Sequence, residues 1–148
     1  MTTFAQTAGI IRKRFTTFFP TLQPTVSYTF ENMAFETPNP DPSSALATSW
    51  VRGVIREGFG FQASLGLTRR WRNSGIAIFQ IFTPAAVGEG VAESIAVSIS
   101  SIYRGVSDTG VVFGGLQGAP EVSRVGVTED GAWYQINVRC PFYSDLTA

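Results

Sequence analysis

The sequence predicts an α+β fold. It reads as a single domain, a mostly antiparallel β-sheet with an N-terminal helix and a second helix packed on it. Three observations carry this. Phe4, Ala8, Ile11, Phe15 and Phe18 recur at spacings of four and three, one stripe of an amphipathic helix. Val91, Ile95, Ile99, Ile102 and Tyr103 form a second such stripe. Near the end of the chain, Tyr134, Ile136, Val138, Cys140 and Phe142 alternate with Gln135, Asn137 and Arg139, the period of a half-buried strand.

The elements follow in order. The first helix runs from Thr3 to Phe19, with Arg12, Lys13 and Arg14 late in it to suit the negative end of its dipole. Pro20 and Pro24 stop it. Thr25 to Phe30 is a half-buried strand with Val26, Tyr28 and Phe30 on one side. From Glu31 to Thr48, prolines at every second position, Pro38, Pro40 and Pro42, forbid regular structure. A loop this long within a domain is functional or disordered. Ser49 to Glu57 is a strand, and Gly58 to Trp71 is glycine-rich and leaves strand and loop both open. Ser74 to Thr83 is nearly all apolar, which predicts a central strand covered on both faces, ended by Pro84. The second helix spans Gly90 to Tyr103, with Glu89 and Glu93 near its start, Arg104 at its end and Gly105 placed for a left-handed terminator. Thr109 to Gly114 is a short strand. Glu121 to Val127 and Ala132 to Phe142 flank a hairpin turn at Thr128-Glu129-Asp130-Gly131. There is no internal repeat, and residues 1–148 read as one domain.

Composition bounds the function. A chain of 148 residues buries enough surface to fold without a disulfide or metal staple. Charged residues are only 15% of it and phenylalanines number 12, so polar surface is scarce. A subunit interface accounts for that, and so does a well-filled core. The net charge is zero, which leaves no global basic field for nucleic acid. Lys13 is the only lysine; arginine supplies every other cation, as suits planar interface contacts. The single cysteine excludes an internal disulfide framework, and the lack of histidine removes the commonest general base and metal ligand. No apolar run approaches a membrane span. Ile10 and Ile11 are followed at once by Arg12, Lys13 and Arg14, which is no secretory core. The basic, Thr-rich first segment has no acidic residue before Glu31, so a transit peptide stands beside the ordinary core-helix reading.

Chemistry-bearing motifs are scarce. Gly58 to Ala63 matches G-x-G-x-x-A, but a dinucleotide fingerprint must open a helix, and Ser64 to Thr68 carries no helical stripe. Glu129 and Asp130 are turn residues, and the spacing of Glu31, Glu36 and Asp41 fits no metal motif. Cys140 lies on an apolar strand face with no histidine to activate it. No catalytic residue, cofactor or metal is expected. The surface feature that stands out is Arg69-Arg70-Trp71-Arg72. It could grip phosphates and stack on a base, clamp carboxylates of a neighbouring subunit, or be a solvated turn.

A set of short pieces then fits one family. An N-terminal helix ends in Arg14-Phe15-Thr16-Thr17-Phe18-Phe19-Pro20, and a Pro-rich loop leads to Trp50-Val51-Arg52. Gln62-Ala63-Ser64-Leu65-Gly66 and Arg70 follow, then Phe79-Gln80-Ile81-Phe82-Thr83-Pro84. Gly88, Gly90 and Ala92 lead into a helix, and Gly131-Ala132-Trp133-Tyr134-Gln135 leads to Val138 and Pro141-Phe142. Together they resemble the tail terminator proteins of long-tailed bacteriophages. The resemblance implies a virion protein assembled in the host cytoplasm. It implies a small α+β subunit forming a ring, typically a hexamer, that caps the head-proximal end of the tail tube. Such a ring stops tube polymerisation and presents a docking surface to the head connector. The genome passes through its lumen without specific binding. No catalytic residues carry over. Chemistry alone, not a family motif, suggests Arg69, Arg70, Trp71, Arg72, Pro38, Pro40, Asp41 and Pro42 as protein contacts. A head–tail adaptor, head-closure subunit or other minor tail protein is the alternative. A DNA-binding module and a carboxylate-only enzyme are readings from other classes.

Overall fold

The computed structural model describes residues 3–114 and 118–147, the side chains of Phe59, Leu146 and Thr147 excepted. Helix α1, Phe4–Leu22, starts at a capping box: the Thr3 hydroxyl accepts from the Gln6 N–H at 3.3 Å, and the Gln6 side chain accepts from the Thr3 N–H at 2.9 Å. The helix does not stop at Pro20 but includes it. Proline forfeits one helical hydrogen bond, and here little helix remains after it, since the Gln23 N–H closes the end on the Phe19 carbonyl at 2.8 Å. The longer helix leaves Arg12, Lys13 and Arg14 in its middle rather than at its end. Phe18 and Phe19 straddle the stripe. Phe19 enters the core and Phe18 is exposed, with the Arg14 guanidinium 4.8 Å above its ring.

One seven-stranded sheet forms in the order β1-β2-β3-β7-β5-β4, with β6 also on β7. The strands are β1 Ser27–Phe30, β2 Trp50–Gln62, β3 Arg70–Pro84, β4 Val106–Asp108, β5 Val111–Phe113, β6 Glu121–Val127 and β7 Trp133–Thr147. Among the described residues only β1 on β2 is parallel; every other pair is antiparallel. β3 pairs with β7 from Pro84↔Trp133 to Arg70↔Thr147. The other edge of β7 is shared, by β6 from Glu121↔Arg139 to Val127↔Tyr134 and by β5 at Val111–Phe113. β4 was not anticipated. Thr109 and Gly110, at φ 48° and 89°, make the two-residue turn that joins it to β5.

Helix α3, Gly90–Tyr103, has the bounds its sequence predicts. It lies with α1 on one face of the sheet. Phe15 stacks on Phe19 at 4.6 Å and on Phe79 at 4.8 Å, and Phe79 stacks on Tyr103 at 5.2 Å. The Tyr103 hydroxyl donates to the Ile11 carbonyl at 2.7 Å, so the polar atom of this buried ring is satisfied. Ile136, Val138, Cys140 and Phe142 complete the core, as their alternation predicts. The opposite face is covered only near Phe82, where Trp50, Trp133 and Phe35 pack. Ile76 and Ile78 are half-buried, which corrects the expectation of a strand covered on both faces. Residues 31–48 are also more regular than three prolines suggest. A 3-10 turn, Pro42–Ser44, and the one-turn helix α2, Ala45–Thr48, lie there. Pro42 opens the turn, where no N–H is needed and its fixed φ fits. No helix among the described residues is long and apolar enough to cross a membrane.

Candidate protein interface

Strands β2 and β3 reach past the helices as a hairpin. The Glu57–Gly60 irregularity in β2 shifts register, and pairing resumes from Gly60↔Asn73 to Gln62↔Trp71. The Ala63 N–H donates to the Arg70 carbonyl at 2.7 Å, and the Arg70 N–H donates to the Ser64 hydroxyl at 2.9 Å. Gly66, at φ +130°, carries the turn. Leu65 and Leu67, on either side of it, are 94% and 105% exposed. Phe61 and Trp71 below them are also partly bare.

Strand pairing takes the arginine cluster apart. Arg70 and Arg72 point to the face away from the helices, toward Asp145, and Trp71 points to the other face. Arg72 donates to Asp145 through Nε at 2.8 Å and Nη2 at 3.0 Å, and its guanidinium lies 4.0 Å over the Tyr143 ring. Arg70 adds a weaker approach at 3.9 Å. The hydrogen bonds from Arg72 hold the Asp145 carboxyl below the usual carboxylate range. Arg69, in the turn, makes no ion pair among the described residues. Of the four cluster residues, two are therefore engaged within the chain and two are presented outward.

The long loop meets the open sheet face near the other end of the strands. Trp50 stacks on Phe82 at 4.2 Å and meets Trp133 edge-on at 6.1 Å, with Phe35 against them. A cleft of about 500 Å³ lies between this loop and the sheet, with Met33, Phe35, Val54 and Ile78 among its walls. Within it Arg56 grips Glu31 with both arms, at 2.6 and 2.9 Å, which lowers the Glu31 pKa. Arg52 donates to the Gln80 amide oxygen at 2.7 Å. Pro40, Asp41 and Pro42 are exposed and Pro38 is half-buried. Asp41 has local work, accepting from the Ser43 N–H at 3.0 Å and its hydroxyl at 2.7 Å to cap the 3-10 turn.

Gly58 to Gln62 are strand, not the turn into a helix that a dinucleotide fingerprint requires. Burial pushes the Cys140 thiol pKa up, away from nucleophile chemistry. Among the described residues no group of three or more Cys, Asp or Glu side chains converges to hold a metal. The exposed apolar residues Met33, Leu65 and Leu67 were missed in sequence. The available signal was a leucine on each side of a turn glycine, where polar residues are usual.

No family model matches the chain and no curated protein matches it in sequence. A solved structure whose name describes no function is similar over 94% of this chain and 92% of its own, with a TM-score of 0.61 and 14% identity. That likeness is one of fold, and it supports the single α+β arrangement of sheet and helices.

Proposed function

We propose that the chain is a ring-forming structural subunit of a phage tail, a tail terminator that caps the tube and docks the head connector. One observation carries this reading. Large apolar side chains are exposed on four separate surfaces. These are the outer side of α1 (Phe4, Phe18, Leu22), the hairpin (Phe61, Leu65, Leu67, Trp71), the long loop (Met33, Leu46) and the α3–β6 side (Val97, Val122, Val125, Val127). A subunit with two lateral and two axial neighbours covers that many surfaces; a free monomer covers none. The resemblance in sequence supplies the identity of the assembly. The engagement of Arg70 and Arg72 by Asp145 weighs against a phosphate-gripping module. The lowered pKa of Glu31 is opposite to what a general acid needs.

The test is electron microscopy of particles from a phage carrying a deletion of this gene. Unjoined, DNA-filled heads beside tubes of uncontrolled length are the expected result. Tails of normal length that fail to join heads would reassign the chain to a head–tail adaptor. Wholly normal particles would discard the assembly reading.

A further inference from the structure

The outer surface of the helical layer carries opposite charge at its two ends. Ser94, Val97 and Ser101 form the exposed ridge of α3, and Arg104 continues it just past the helix. At the N-terminal end of α3, Glu89 and Glu93 share one cation. Arg124 donates to them at 3.2 and 2.7 Å, and the Tyr134 hydroxyl donates to Glu89 at 2.7 Å. Two carboxylates on one arginine leave a negative charge over. At the C-terminal end the charge left over is positive. Arg14 donates to the Ile102 carbonyl at 2.8 Å and is answered by Asp108 at 3.4 Å, and Lys13 lines the same groove as that pair. Arg104 and Lys13 make no ion pair among the described residues.

Between these ends the surface is apolar and grooved. A groove of about 470 Å³ on the α1 side of α3 has Phe18, Leu22 and Ser101 among its walls. One of about 500 Å³ on the β6 side has Val97, Ser101 and Val122. Ser101 lines both, so the grooves flank a single ridge. Phe18, Leu22, Val97 and Val122 are all exposed. Arg14 is level with Ile102, and Gln23, which donates to Ser98 at 3.0 Å, is level with the first half of α3, so Phe18 stands beside the middle of that helix. The small serines of the ridge let a second helix approach closely.

We infer that this face is covered by the same face of a second copy, with α3 antiparallel to α3 about a two-fold axis between Ser98 and Ile99. Glu93 and Arg104 are equally far from that axis in sequence, so Arg104 of each copy meets Glu93 of the other. Phe18 and Val97 of both copies gather about the axis. Charge complementarity selects this arrangement, because parallel helices set Arg104 against Arg104 and carboxylate against carboxylate. Antiparallel helix dipoles favour it as well. The contact is isologous, so it is not the head-to-tail contact that closes a ring. It is the form of the free subunit, stands without the ring reading, and gives way where assembly neighbours take the helical face.

Sedimentation equilibrium of the full chain and its charge-reversed variants tests this. The parent is expected to be a dimer. Arg104→Glu sets carboxylates together at both contacts, and Glu93→Arg sets guanidiniums together; each alone should weaken dimerisation by about tenfold or more. Mixed one to one, they should recover a heterodimer, because both contacts then pair opposite charges. Val97→Arg, at an exposed position near the axis, should also dissociate the dimer. Circular dichroism matching the parent shows that each variant is folded. Should Glu93→Arg unfold through the loss of its bond to Arg124, Arg104→Glu and Val97→Arg decide the matter alone. A parent that stays monomeric at every concentration would overturn the dimer. Folded variants that associate like the parent, or a mixture of the two charge reversals that stays monomeric, would overturn the antiparallel α3 contact.

Discussion

Strand β3 is two strands in one. From Ala77 onward, Ala77, Phe79 and Ile81 are wholly buried in the core they share with α1 and α3. From Arg70 to Ser74 the same strand keeps the same ladder with β7, yet its side chains are exposed or half-exposed. The ladder with β7 is continuous through both halves, so it fixes geometry in both and distinguishes neither. Stability lies in what stacks on the ladder. The covered half has a column of Phe19, Phe15, Phe79 and Tyr103. The arm has one arginine clamped between a carboxylate and a tyrosine ring. The covered half should set the global stability, and the arm should open below it.

The largest expected effect breaks the column. Phe15→Ala should cost about 3–5 kcal/mol in urea unfolding. A loss under about 1 kcal/mol would mean that the covered half draws its stability from elsewhere. Next comes the boundary between the halves. A Cβ on Gly75 would sit 2.6 Å from the Arg56 carbonyl oxygen and 2.6 Å from the Phe142 ring. Gly75→Ala should therefore cost roughly 1–3 kcal/mol, since backbone must move. Thermal melting at parental temperature would show that the two strands separate freely at this point. The smallest effect belongs to the arm. Arg72→Met should cost roughly 1 kcal/mol at neutral pH and speed amide exchange in residues 58–74 more than in 76–84. Asp145 has a depressed folded-state pKa, so its contribution is present above the unfolded value near about 4 and is lost as pH falls through the folded value. The gap between parent and Arg72→Met should accordingly shrink in acid. A gap that persists at low pH would assign the arm's order to the Tyr143 stack alone.

These contrasts also mark what the sequence made legible. Helix α3 and the alternation of β7 were readable because their apolar residues repeat at the period of the element they form. Residues 58–62 were not, because Gly58 and Gly60 suppress a strand signal that only pairing with Asn73, Arg72 and Trp71 supplies. Pro20 misled because a proline rule treats the helix as isolated, whereas packing of Phe15 and Phe19 carries it onward. The arginine cluster was visible as composition but not as arrangement. Its partner Asp145 is distant in sequence, and neither a run of arginines nor an aspartate near the chain's end predicts that two of them meet there. The cleft was unreadable for the same reason, since it forms only where the loop at Met33 and Phe35 lies over Val54 and Ile78.

Strand β7 is the last of the strands in chain order yet occupies the middle of the sheet, touching β3 along one edge and both β5 and β6 along the other. During synthesis β2 and β3 can pair as soon as they emerge, but β3 then waits with a bare edge while α3 and three short strands are made. Closing such distant pairs is entropically slow, and an unpaired apolar edge is the state most exposed to capture by another chain. Folding of this domain is therefore timed by β7, and crowded synthesis should favour misfolding more than any weakness of the finished fold would.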